Sequence, residues 1–148
     1  VVLSGAQIRL NDNNLVLAGN FQIIGFLGSF NYFNQNGAGT LRVVGDNPSR
    51  FTQTFPIGVN GAYTPVTITK LASNFPGTPG SRWIEIKSYG GRHHLATGTD
   101  KTAQRWFRLR SNNITVLTKF GVDFQYADAD VARSHSGNKP YHNRFASF

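Results

Sequence analysis

Two adjacent histidines, in the run Tyr89-Gly90-Gly91-Arg92-His93-His94, are the residues best suited to metal or proton chemistry. Neighbours on an extended strand point to opposite faces, so one metal could use both only if a loop carries them, with His135 and His142 as added ligands. Ordinary loop histidines are the plainer reading. Asp128 and Asp130 share a face of an extended segment, with Asp123 upstream. Asp128-Ala129-Asp130 has the opening of a calcium loop, but the third acid, the glycine and the closing glutamate do not follow. A turn stabilised by Asx side chains is the simpler alternative.

Hydrolytic chemistry is poorly supplied. Glycoside cleavage needs two carboxyl groups across the scissile bond, and the chain holds seven acids with Glu85 its single glutamate. No Gly-x-Ser-x-Gly elbow, Walker loop or His-Glu-x-x-His pair occurs. The expectation is a non-catalytic protein with no catalytic residue, no metal site and no cofactor.

Aromatic and cationic residues offer more. Trp83, Tyr89, Trp106 and Tyr126 could form a platform for sugar rings or bases. Trp83 shares its strand face with Glu85 and Lys87, and Trp106 shares its own with Arg108 and Arg110, an arrangement suited to cation–π contact. The candidate ligand-binding residues are therefore Trp83, Lys87, Tyr89, Trp106 and Arg108. Partial burial of the same rings under a loop is the competing account.

The elements that must position them read as β throughout. Short runs rich in Val, Ile, Thr, Phe and Tyr alternate with Gly, Asn, Pro and Ser clusters, and helical periodicity is nearly absent. Clear strands are Thr40–Val44, Phe51–Phe55, Tyr63–Thr69, Arg82–Lys87, Gln104–Arg110, Ile114–Thr118 and Val122–Tyr126. A helix is conceivable only near Asp128–Arg133. Gln7–Leu10 and Leu15–Asn20 flank the turn Asn11-Asp12-Asn13-Asn14, which reads either as a hairpin or as one corner of a β-solenoid rung. Eight or nine strands, with no internal repeat, predict one antiparallel β-sandwich, jelly-roll or Ig-like, over residues 1–148 with a solenoid-like N-terminal hairpin.

The chain has 148 residues, of which 39% are apolar, enough for one real core. The longest apolar run, Phe21–Phe30, is broken by Gln22, Gly25, Gly28 and Ser29 and is too short to span a bilayer. Cys is absent, which excludes thiol catalysis and disulfides and favours export. Met is absent even at position 1, so the chain is read as one module of a longer product. The charge of +8 suits an anionic polysaccharide, an acidic surface or nucleic acid, but the basic residues are scattered and form no arm, so nucleic acid is the least favoured partner.

Four segments in order carry a resemblance. They are Leu10-Asn11-Asp12-Asn13-Asn14-Leu15-Val16-Leu17, Asn36-Gly37-Ala38-Gly39-Thr40-Leu41, Phe55-Pro56-Ile57-Gly58 with Tyr63-Thr64-Pro65-Val66-Thr67-Ile68, and Gln104–Leu109 with Val122–Val131. Together they resemble a module of large secreted and cell-surface proteins of Bacteroidota, adhesin-like substrates of type IX secretion. That resemblance implies an extracellular location and a structural or adhesive role, as one bead of a filament paired with neighbouring modules or subunits. It transfers no catalytic residue. A carbohydrate-binding module built around Trp83 is the alternative function, and a basic capsid-like jelly roll that binds nucleic acid is the third.

Overall fold

The computed structural model describes residues 2–3, 6–18, 23–25, 28, 30–44, 51–70, 82–96, 103–112, 120–126 and 130. The expected strand Ile114–Thr118, most of the expected helix near Asp128–Arg133, Asp128, His135 and His142 lie outside them. Among the described residues every regular element is a strand, and no helix is long and apolar enough to cross a membrane.

The N-terminal half winds rather than folding back. Strands β1 (Val2–Leu3), β2 (Ile8–Arg9) and β3 (Leu15–Leu17) form a first rung. Strands β4 (Ile24–Gly25), β5 (Phe33–Asn34) and β6 (Leu41–Val44) form a second, each parallel to its counterpart. Strands β7 (Phe51–Phe55) and β8 (Ile57–Val59) follow, and β8 lies parallel to β5. Of the two readings of Asn11–Asn14, the solenoid corner is the one that holds: β2 and β3 pair with β5 and β6, not with each other.

The winding rests on a structural repeat, where no internal repeat was expected. The register Ile8–Phe33–Ile57 brings Asn11, Asn36 and Asn60 to equivalent corners. Asn11 and Asn60 both adopt the left-handed backbone that asparagine tolerates, with φ of 49° and 53°. Side chains staple one corner to the next. Asn14 Oδ1 accepts from Thr40 N–H and Oγ1–H at 3.1 and 2.7 Å, Asp12 Oδ1 accepts from Ala38 N–H, and Asn36 Oδ1 accepts from Asn60 N–H at 2.8 Å. The corners nest tightly at Gly39, whose N–H donates to Asn11 O at 2.6 Å and whose missing side chain leaves room for the backbone oxygens of Asn11 and Asn13. Gly39→Ala would drive a methyl into rigid backbone. It is expected to destabilise the domain by about 1–3 kcal/mol, measured by urea denaturation.

Asn60-Gly61 ends the winding. With φ of 53° and 78° these residues make the tight reversal whose twist suits a two-residue hairpin, and β9 (Ala62–Tyr63) runs back against β8. Pro65 lies just before β10 (Val66–Lys70), which is the centre of an antiparallel sheet between β7 and β13 (Phe120–Phe124). The long pair β11 (Trp83–Gly90) and β12 (Arg105–Asn112) completes the sheet β12-β11-β6-β3.

The result is an all-β sandwich. Alternation sends Leu41, Val43, Ile84 and Ile86 inward from the β12-β11-β6-β3 sheet, where they meet Phe33, Phe55, Ile57, Val66, Ile68 and Val122 in one core. Its ladders are mixed: the parallel pairs belong to the wound half and the antiparallel ones to the return strands. More strands occur than sequence alternation indicates, because each corner cuts an apparent strand into shorter pieces.

Candidate functional site

The outward face of the β12-β11-β6-β3 sheet gathers the residues singled out from sequence. Register fixes the rows. Val44, Trp83 and Asn112 form one, and Val16, Arg42, Glu85 and Arg110 the next; Lys87 faces Arg108, and Tyr89 faces Trp106. All five candidate residues thus stand on one face. Tyr126 does not, since its ring packs edge-on against Phe107, which points to the opposite side of β12.

The face is a lattice of cations and rings. Arg42 holds its guanidinium 4.1 Å from the Trp83 ring centre and donates to Glu85 Oε2 at 2.8 Å. Arg108 lies 3.8 Å from the other oxygen of Glu85 and 5.5 Å from the Tyr89 ring. Tyr89 and Trp106 stack across the strand pair at 3.9 Å, nearly parallel. Beyond Gly91 the loop folds back, so that His93 meets Trp106 edge-on at 4.6 Å and stacks with His94 at 4.3 Å. The adjacent histidines therefore lie side by side, as only a loop allows. No group of three or more His, Cys, Asp or Glu suited to a metal occurs among the described residues.

Lys87 has a different position from that expected of a surface cation. It is 2% exposed, and its ammonium donates to Gln35 O, Gly37 O and Gly39 O at 2.9, 2.5 and 2.7 Å. Burial pushes its pKa below the usual lysine value, Arg108 pushes the same way, and Asp12 pulls back. The second-rung corner covers this part of the outward face, so Lys87 fastens the corner to the sheet and is not open to a ligand.

Two buried polar devices were not legible in the sequence. Gln35 reaches past the start of β6, donating to Ile86 O at 2.9 Å and accepting from Ser88 N–H at 2.7 Å, so its amide continues the ladder where β6 does not reach. Arg105 forks onto Asp130 at 2.6 and 3.1 Å and donates to Val59 O at 3.2 Å. Asp130 is buried in that pair, which engages both of its carboxylate oxygens, while Asp123 is exposed on β13. Only the alternation of strand faces was visible beforehand; the long-range partners required the register.

Comparison with protein-family models, curated proteins and solved structures gives no match to this chain.

Proposed function

We propose that the domain is a non-catalytic structural and adhesive module of an extracellular bacterial surface protein, joined to neighbouring modules or subunits through its first rung. One observation carries this reading: among the described residues the first rung is an open edge. Along a parallel strand, alternate residues turn their N–H and C=O groups to opposite sides. Ile8 and Leu10 donate to Tyr32 O and Asn34 O, and Leu15 donates to Thr40 O, so the backbone groups of Arg9 and Val16 turn away from the second rung. Among the described residues no strand pairs with β2 or β3 on that side. Unpaired edges of this kind are templates for strand addition.

The apolar surface supports the same end. Ile8, Val16, Ile24 and Phe30 are exposed and belong to the first two rungs; Leu95, in the loop after β11, is the other large exposed apolar residue among those described. The segments that carry the resemblance to type IX-secreted adhesins of Bacteroidota fall partly in the wound half, at Leu10–Leu17, Asn36–Leu41 and Phe55–Gly58, and partly on the return strands.

The test exploits strand parity. Arg9→Pro with Val16→Pro removes only outward-facing donors and is expected to change the domain's stability by about 1 kcal/mol or less. In the parent protein on intact cells, the pair should abolish cross-links between this domain and its neighbours. Cross-links that survive both prolines, or that never reach β2 and β3, would rule the reading out. Protection of the domain from protease added to intact cells would remove the extracellular assignment.

A further inference from the structure

From the outward face of the β12-β11-β6-β3 sheet we infer a binding site for a carboxylated polysaccharide, a chain of uronic-acid pyranoses. Among the described residues of its strands, this face carries Arg42, Lys87, Arg108 and Arg110 against a single carboxylate, Glu85. Lys87 is committed to three carbonyls. The remaining excess is guanidinium, the group whose planar fork matches a carboxylate.

The face already shows the chemistry it would repeat. Glu85 sits between Arg42 and Arg108, with Arg110 directly across from it in the ladder and exposed to solvent. The Nε groups of Arg42 and Arg108 are buried without a hydrogen-bond partner. A ligand carboxylate bound above Arg108 and Arg110 would meet two guanidinia on alternate residues of one strand. Its pyranose ring would lie along β12 beside Arg108, since the second-rung corner covers Lys87 on β11.

Nucleic acid fits this surface less well. Bases bind by stacking on open aromatic faces. Here Arg42 already covers one face of Trp83, and Tyr89 one face of Trp106. A sugar acid needs chiefly the guanidinium forks, which Arg108 and Arg110 offer side by side on β12.

Trp83 and Trp106 are the only tryptophans in the chain, and both stand on this face, so intrinsic fluorescence reports the site directly. The purified protein would be titrated with polygalacturonate oligosaccharides, neutral galactose oligosaccharides, a sulfated polysaccharide and single-stranded DNA. Saturable binding of the polygalacturonate is expected, weakened by salt and tighter than each of the other three. Arg110→Ala, which alters an exposed side chain, should weaken it about tenfold, the loss of one charge-assisted hydrogen bond. Arg108→Lys should weaken it similarly while leaving the thermal unfolding midpoint near that of the parent protein. No response to polygalacturonate, equal or tighter binding of the neutral, sulfated or DNA probe, or wild-type affinity in Arg110→Ala would each overturn the assignment. None of these outcomes bears on the open first rung, which the proline pair tests separately.

Discussion

Lys87→Met is expected to lower the unfolding free energy by about 3–5 kcal/mol, although methionine matches the length of the lysine stem. The ammonium is the common donor to three backbone carbonyls of the second-rung corner, those of Gln35, Gly37 and Gly39. A carbonyl left buried and unpaired costs about 1–3 kcal/mol, and relief from burying a charge offsets part of the total. The corner cannot simply open towards water, because Gly39 is pressed against the first-rung corner and Gln35 is tied to β11. Urea denaturation of the two proteins measures the difference. A loss below about 1 kcal/mol would mean that these carbonyls find water, and that Lys87 does not fasten the corner.

Asp130→Asn should be of similar size, about 3–5 kcal/mol, because it leaves the Arg105 guanidinium buried without its counter-charge. The neutral amide keeps one acceptor but loses the bidentate fork. Arg105 also donates to Val59 O, just before the Asn60-Gly61 reversal, so the loss spreads to the β8–β9 hairpin. The double variant Arg105→Met with Asp130→Leu removes both charges together and should recover much of the stability. A double variant no more stable than Asp130→Asn alone would show that the hydrogen bond to Val59, rather than the ion pair, holds this region. Hydrogen exchange across β8 and β9 separates the two cases.

Strand faces were legible and strand partners were not. In β11 a period of two separates Trp83, Glu85, Lys87 and Tyr89 from Ile84, Ile86 and Ser88, and β12 separates Trp106, Arg108 and Arg110 from Phe107 and Leu109. Parity alone could not say that the two polar sets share a surface; the antiparallel register settles that. The repeat escaped notice because its corners share little beyond asparagine. Asn11, Asn36 and Asn60 recur, but glycine, alanine and threonine occupy the second corner where the first has Asp12, Asn13 and Asn14. Backbone stacking defines the rung, and backbone leaves a weak imprint on residue identity. Lys87 illustrates the same limit. Its face was correctly read as polar, yet nothing local in the sequence announces that a corner fifty residues upstream of it covers its head group.

The reversal at Asn60-Gly61 has a consequence for how such domains can vary in length. Asn60 occupies the corner position that begins a return to a further parallel strand in the first two rungs, but Gly61 sends the chain backwards into β9. Punctuation is thus held by one dipeptide, while the rungs before it share their core and the β6–β11 ladder with the return strands. A tandem copy of the second rung inserted before β7 would give its copy of β5 the parallel edges of β5 and β8, and its copy of β6 a parallel β6 on one side and the antiparallel β11 on the other, leaving the reversal unchanged. The architecture therefore separates extension from termination, so gene segments encoding single rungs are natural units of duplication and loss.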